Sequence, residues 1–260
     1  MKKLLFFDID GTLLDESNQE VPKSTMTALQ KAQENGHLVF INTGRSFTAV
    51  PNIIKNMNID GYVCGCGGYL SYHGEVLQDT TLDIALCQQL VQKLNECKLS
   101  AVLESTNCIY FDTNNINERV EGFRQSLKTE DTICASWDQE NLQFDKLTVF
   151  LNEDSQFEPF YETFKDQLHF IQRDETFYEI IPTHISKATG IAYFLDYFNL
   201  PFDCAYAFGD SANDLAMLEY VKHSIAMGVS HPDVLKTCEY VTTNLEDDGI
   251  QHALEHYGII

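Results

Sequence analysis

The sequence predicts an α/β protein: a doubly wound, parallel-sheet core that carries an inserted α+β domain. Three observations predict it. The chain opens with an apolar run, Leu4 to Phe7, with the length and unbroken hydrophobicity of a strand covered on both faces. Strand and helix patterns alternate up to the strand 62–64 and again from about 185, which is the grammar of a Rossmann-like sheet. Between them the rhythm changes to paired strands interleaved with helices, as in a unit with a sheet of its own. The expected division is a first core segment 1–80, an insert 81–184 and a second core segment 185–260.

In the first segment, Pro22 to Asn35 carries Met26, Leu29 and Ala32 at helical spacing, with Pro22 suited to the first turn and Gly36 to the position past the end. His37 to Ile41 reads as a second strand. It runs into Asn42-Thr43-Gly44-Arg45-Ser46, where Ser46 is placed to cap a helix that includes Ile53 and Ile54. Tyr62 to Cys64 reads as a strand and Tyr69 to Leu77 as a hairpin turning at His73-Gly74. The insert reads as helix 83–96, strands 101–103 and 109–111, helix 116–127, strand 146–151, helix 157–167 and strands 169–171 and 177–181. In the second segment Ser186 caps a helix through Tyr197. Strand 205–208, helix 215–221, strand 224–227 and a closing helix 250–256 follow.

Composition narrows the function. With 44% hydrophobic and 22% charged residues in 260, the chain is an ordinary globular one. No window approaches the roughly 18 consecutive apolar residues of a membrane span, and the N-terminal run ends in acids rather than a signal-peptide cleavage site, so a cytoplasmic protein is expected. Eight cysteines include no CxxC pair, which favours reduced, packed thiols over a cysteine metal site. Seventeen Lys and Arg against 39 Asp and Glu give a formal charge of -22. Such a surface repels nucleic acid and anionic lipid, and no obligate protein partner is evident.

In an open parallel sheet, ligands bind where the carboxyl ends of neighbouring strands converge. Those ends carry Asp8-Ile9-Asp10-Gly11-Thr12, then Thr43-Gly44-Arg45, then Gly209-Asp210-Ser211-Ala212-Asn213-Asp214, with Lys187 at the start of the helix before the last of these strands. Asp8, Asp10, Asp210 and Asp214 gathered in one crevice would repel one another unless a cation sat among them, and an all-oxygen donor set favours a hard ion such as Mg²⁺. Mg²⁺ keeps sites open to substrate phosphate, so a phosphorylated ligand fits. Thr43, Lys187 and free backbone N–H groups at Gly11 and Thr12 are expected to supply its donors.

The DIDGT run, a Thr closing the second strand, a lone Lys and GDSANDLAM, in that order and with a large insert between the Thr and the Lys, resemble the four motifs of the haloacid dehalogenase superfamily. DIDGTLLD and GDSANDLAM, with that insert, resemble the Cof-type (subfamily IIB) branch, whose members are mostly Mg²⁺-dependent phosphatases of small phosphometabolites. The resemblance implies that the insert is a cap domain and that sugar phosphates are the first substrate class. It makes Asp8 the nucleophile of an aspartyl-phosphate mechanism, Asp10 the general acid and base, Thr43 a phosphoryl donor and Lys187 the stabiliser of developing charge. Asp8, the Asp10 carbonyl and Asp210 would hold Mg²⁺, with Asn213 and Asp214 in support. Gly11, Thr12, Gly44, Arg45 and Asn213 would line the substrate.

Each feature also has a plainer reading. Two Asp after a strand are often a turn, Thr43 alone is an ordinary strand end, and Lys187 alone a solvated first-turn lysine. It is the ordered set that carries the argument. Arg45 suits a phosphate or a neighbouring carboxylate equally. Cys64-Gly65-Cys66 stands where the family has an Asn-Gly loop, and Cys66 takes the Asn position; a tight turn with buried thiols is the favoured account. A phosphomutase would need a second phosphate site in the insert, where Arg119, Arg124 and Arg173 form no evident cluster. A non-catalytic phospho-ligand sensor is the remaining alternative.

Overall fold

The computed structural model describes residues 1–15, 17–112, 117–127, 132–139 and 141–260. In chain order it runs β1 (Leu4–Phe7), α1 (Lys23–Glu34), β2 (Leu38–Asn42), α2 (Asn52–Lys55), β3 (Gly61–Cys64) and a hairpin of β4 (Tyr69–Tyr72) and β5 (Glu75–Asp79). The insert follows: α3 (Ile84–Glu96), β6 (Ser100–Glu104), β7 (Ile109–Phe111), α4 (Glu118–Leu127), β8 (Cys134–Ser136), β9 (Lys146–Phe150), α5 (Phe157–Phe164), β10 (Leu168–Asp174) and β11 (Phe177–Pro182). The chain closes with α6 (Lys187–Tyr197), β12 (Ala205–Gly209), α7 (Leu215–Tyr220), β13 (His223–Ala226), α8 (Pro232–Thr237), β14 (Tyr240–Val241) and α9 (Gly249–His256). None of the described helices is long and apolar enough to cross a membrane.

By its contacts the chain divides into two compact units, one of Met1–Gly44, Asn52–Leu77 and Ser186–Ile260, the other of Arg45–Pro51 and Gln78–Ile185. The expected boundaries placed 45–51 in the first core segment, yet its contacts lie with the insert. In the first unit the sheet order is β14-β13-β12-β1-β2-β3-β4-β5, parallel from β14 to β3 and turning antiparallel at β4. The three central strands β12, β1 and β2 are buried along their whole length, which is why their sequences lack alternation. Aromatic rings fill the faces: Phe40 lies 4.4 Å from Phe194 and 5.0 Å from Phe6, and Phe7 stacks on Phe208 at 4.3 Å. The hairpin turns through His73 (φ 46°) and Gly74 (φ 80°), the paired positive angles of a tight two-residue turn.

Helix α1 starts after Pro22 and stops before Gly36, whose φ of 88° suits glycine. Its buried face is Thr25, Ala28, Leu29 and Ala32, while Met26 is 42% exposed, so the expected Met26 stripe is corrected. A strict three-residue repeat drifts about 60° per step against the helical period, and the 25-28-29-32 pattern does not. The expected helix cap at Ser46 also differs: Phe47–Ala49 forms one 3₁₀ turn, α2 is a separate helix beginning at Asn52, and the Ser46 side chain makes no capping bond.

The second unit holds a sheet of order β10-β11-β9-β6-β7-β8, antiparallel except for the parallel β7 and β8 pair. One cluster joins Leu103, Leu147 and Ile180 of the sheet to Leu90 and Leu94 of α3 and Phe160 and Phe164 of α5. A smaller cluster gathers Ala49 with Val102, Phe111, Val120 and Phe150. The expected start of the fourth helix, Ile116, lies outside the described residues. Strand β8, helix α8 and strand β14 have no counterpart in the sequence reading, each being too short to show a period.

Asp145, at the entry to β9, generates a testable consequence for stability. Burial first, and Asp79 second, push its carboxyl up to about 6 against hydrogen bonds from Thr81 and Thr106. Thr106 Oγ1 lies 2.7 Å from Asp79 Oδ1 and 3.2 Å from Asp145 Oδ2, and its single proton serves one of them at a time. The folded chain thus holds a proton that the unfolded chain releases near the ordinary 3.8. Its stabilising contribution is complete below about pH 4 and is lost as pH rises through about 6. Asp145→Asn is expected to flatten this slope and to raise stability at pH 7 by on the order of 1–2 kcal/mol, read by denaturant unfolding of both proteins across pH 4–8.

Candidate active site

Strand pairing sets the site. Phe7 pairs with Phe208 on one side and with Ile41 on the other, so Asp8, the Gly209-Asp210 turn and Asn42-Thr43 leave the sheet side by side. The backbone N–H of Asp8 still bonds Phe208 O at 3.0 Å, which holds its side chain at the edge of the sheet. Thr43 is buried; its N–H donates to Val63 O at 2.8 Å and its carbonyl accepts from Cys66 N at 3.0 Å.

Lys187 reaches this edge from the first turn of α6. The helix start is fixed by a reciprocal cap in which Ser186 Oγ accepts from Thr189 N at 3.1 Å and Thr189 Oγ1 accepts from Ser186 N at 2.9 Å. Asn42 Nδ2 donates to Lys187 O at 3.0 Å. Gly67, at φ 101°, lets the loop after β3 pass against Ser186, whose carbonyl oxygen would lie 2.2 Å from any Cβ there. The ammonium, 1% exposed, then donates to Asp8 Oδ1 at 2.7 Å and to Asp214 Oδ1 at 2.5 Å.

Asp214 is shared. Its Oδ2 accepts from the backbone N–H groups of Asp210 and Ser211, both at 3.0 Å, and so shapes the turn that carries Asp210. Asp210 Oδ1 accepts from Thr12 Oγ1 at 2.8 Å. Gly11, at φ 77°, has no alternative residue: a Cβ would sit 2.6 Å from Asp210 Oδ2. Carboxylate oxygens of Asp8, Asp210 and Asp214 all lie within 4.8 Å of one another.

The electrostatics follow from three acids and one ammonium in a dry place. Burial, then Asp214, raise the Asp8 carboxyl above its ordinary range, and the Lys187 ammonium only partly offsets them. Burial, then Asp8 and Asp214, push Asp210 up to about 8. Burial alone would push Lys187 down, but Asp214 and Asp8 outweigh it and hold the ammonium above its usual range.

The family model for haloacid dehalogenase-like hydrolases matches residues 5–254. The chain belongs to that superfamily. The Bacillus subtilis protein named "Putative phosphatase YkrA" is 30% identical over 99% of this chain and 98% of its own length. The B. subtilis protein named 5-amino-6-(5-phospho-D-ribitylamino)uracil phosphatase YitU is 26% identical over 98% of this chain and 97% of its own. Among solved structures, the HAD subclass IIB sugar phosphatase BT4131 superposes with a TM-score of 0.87 at 26% identity, covering 99% of this chain and 100% of that one. The chain is a phosphatase of the haloacid dehalogenase superfamily, of the Cof type, on a Rossmann-like parallel-sheet core.

In this haloacid dehalogenase-like hydrolase, Asp8, Lys187, Asp210 and Asp214 meet directly, and Thr12 and Gly11 serve Asp210. The expected free N–H groups at Gly11 and Thr12 are a correction: Gly11 N donates to Leu14 O at 3.0 Å and Thr12 N to Ile9 O at 3.3 Å, because the loop closes on itself. Asp10 follows Asp8 on the same loop, and its carboxylate lies outside the three-acid group. Asn213 Oδ1 accepts from Ser211 Oγ at 2.7 Å, inside its own turn. Gly44 is the last residue of the first unit, and Arg45 Nη1 donates to Ala49 O at 3.1 Å. Cys66 adopts a left-handed φ of 54°, which Asn tolerates well, and burial pushes the neighbouring Cys64 thiol above its ordinary value; both fit the tight-turn reading. Asn42 was missed. Its only signal was a polar residue closing an apolar strand.

Lys187 balances two buried carboxylates, so its loss leaves both without their ammonium. Lys187→Met is expected to lower unfolding stability by about 3–5 kcal/mol, read as a shift of the urea midpoint at unchanged slope.

Proposed function

We propose that this phosphatase hydrolyses phosphate monoesters of small metabolites, sugar phosphates foremost, with Mg²⁺ and through an aspartyl-phosphate intermediate. The observation that carries this reading is the buried Asp8 held by Lys187, with Asp210 and Asp214 oxygens within 4.8 Å. The donor set fits a hard divalent cation. It is all oxygen, its negative charge exceeds the one ammonium present, and burial first, then mutual repulsion, raise the carboxyls of Asp8 and Asp210 above their ordinary range. Asp8, the Asp10 carbonyl and Asp210 would hold the ion, while both oxygens of Asp214 are taken by Lys187 and backbone N–H groups. Bound there, Mg²⁺ would neutralise charge on the phosphoryl oxygens.

The chain's residues supply the remaining steps. The Asp8 carboxylate attacks phosphorus as the bond to the leaving oxygen breaks, and Asp10 gives that oxygen a proton. Asp10 then takes a proton from a water that attacks the same phosphorus, which frees Asp8 and releases inorganic phosphate. Lys187 fixes the plane of the Asp8 carboxylate throughout, and the Thr43 hydroxyl, with Gly44 and Arg45 beside it, orients the phosphoryl oxygens. The Asp10 carbonyl, Gly11, Thr12 and Asn213 shape the walls.

Sugar phosphates lead because BT4131 is a sugar phosphatase and the YitU substrate carries its phosphate on a ribityl chain. A mutase is less favoured: Arg119 pairs with Asp174 at 2.8 Å, Arg124 with Glu121 at 2.7 Å, and Arg173 lies 3.6 Å from Glu179. Each of these insert arginines already faces a carboxylate, so a second phosphate would have to compete for it. A sensor without turnover is less favoured by the complete Asp8, Asp10, Thr43, Lys187 and Asp210 set. Eight free thiols suit a reducing cytoplasm, and a net charge of -22 suits a small phosphorylated metabolite better than nucleic acid or membrane.

Turnover of p-nitrophenyl phosphate is expected to require added Mg²⁺ and to cease on chelation. Asp8→Asn should abolish it, with loss of at least about 10³-fold. Among natural esters, hexose and pentose phosphates should give the highest kcat/KM. Undiminished turnover in Asp8→Asn would refute the nucleophile assignment, and isomer formation without phosphate release would favour the mutase.

A further inference from the structure

Outside the carboxylate cluster, Glu104, at the end of β6, is a buried polar group held by several partners. It is 2% exposed, and its partners are divided between its two oxygens. Oε1 accepts from Thr148 Oγ1 at 3.0 Å and lies 3.3 Å from Lys146 Nζ. Oε2 accepts from Ser46 Oγ at 3.0 Å and Ser46 N at 3.4 Å. Thr148 and Lys146 are themselves buried, and Lys146 is 3.5 Å from Glu179. A buried carboxylate with this many donors has few alternative positions.

Ser46 is the first residue after the Thr43-Gly44-Arg45 turn with a bond of this kind. Upstream, the turn is fixed through the Thr43 backbone, by Val63 O and Cys66 N. Downstream, Ser46 stands where a serine ordinarily caps the following helix, yet its hydroxyl is diverted to Glu104. Three positions on, Ala49 is packed against Val102, Phe111 and Phe150. The segment 45–51 is thereby built into the insert, although it connects β2 to α2.

We infer that Glu104, acting through Ser46, is a positioning residue for the phosphate-binding turn. The inference rests on the reading that Thr43 and its neighbours bind the phosphoryl group. The turn is tied at Thr43 by Val63 O and Cys66 N and just past Arg45 by the Ser46–Glu104 bond, so that bond is one of the constraints that set its geometry. Removing the Ser46–Glu104 bond relaxes the downstream side of the turn, and a displacement of about 1 Å near the reacting atoms costs up to about 100-fold. Because the turn addresses phosphate and not the rest of the substrate, the cost is independent of the leaving group.

The test uses the full chain with Mg²⁺ and four variants: Ser46→Ala, Ser46→Thr, Glu104→Gln and, as control, Asp8→Asn. Ser46→Ala should lower kcat/KM about 10-fold, to the same degree for p-nitrophenyl phosphate and for a hexose phosphate, and weaken product inhibition by inorganic phosphate by a similar factor. Ser46→Thr keeps the hydroxyl and should restore most of both. Glu104→Gln should follow Ser46→Ala; if it fails to fold, the single hydroxyl removed in Ser46→Ala still decides the matter. Kinetics within twofold of wild type in Ser46→Ala, or a loss confined to the larger substrate, would overturn the inference while Asp8→Asn remains inactive. Wild-type protein without Mg²⁺-dependent turnover would instead overturn the functional reading, and this inference with it.

Discussion

The site depends on one buried contact, the Lys187 ammonium between Asp8 and Asp214. Two carboxylates brought this close in a dry crevice would repel each other, and an ammonium there without them would be strongly disfavoured. Each charge is tolerable only in the presence of the others, so the three side chains must arrive together. Their carriers are far apart in sequence: β1, the turn after β12, and α6. The chain can form this contact only when β1 and β12 are paired and α6 has docked by its capped end. Folding of the core and assembly of its chemistry are therefore one event.

The features that serve this contact were legible where they are local. Asp8-Ile9-Asp10-Gly11-Thr12 follows an apolar strand, Ser186 stands one residue before Lys187 at a helix start, and Asp214 follows Asp210 at a spacing that a tight turn closes. A residue whose role is set within its own turn leaves a pattern in sequence, because neighbouring residues must cooperate in the same geometry. The Gly11 position shows how far this goes. Glycine permits the φ of 77° there, and the same lack of a side chain also admits the Asp210 carboxylate, a partner no local pattern could reveal.

What stayed hidden was set by distant partners. Ser46 precedes a short helical turn and has every local credential of a cap, but a carboxylate 58 positions away takes its hydroxyl. Glu104 itself ends a strand, and nothing in the polar run Ser105-Thr106-Asn107 that follows it points to Ser46. The N–H groups of Gly11 and Thr12 seemed available because sequence shows donors and not acceptors, and Leu14 O and Ile9 O fill that role a few residues on. Met26 was misplaced for a simpler reason: three apolar residues fit a stripe that the helix period does not sustain, and Thr25 lies on the true buried face.

The insert's polar network bears on why its sheet is built as it is. Glu104, Lys146, Thr148 and Glu179 lie on central strands β6, β9 and β11, where apolar side chains of similar volume would fold at least as stably. Stability alone therefore gives no reason for charges at these positions. What a charged network offers over an apolar one is direction: a carboxylate oxygen accepts from one hydroxyl in one place, whereas a leucine would accept Ser46 in many. The residue so fixed is the one through which the chain leaves Thr43. Specification of a single turn, rather than added cohesion, accounts for a buried carboxylate at the end of β6.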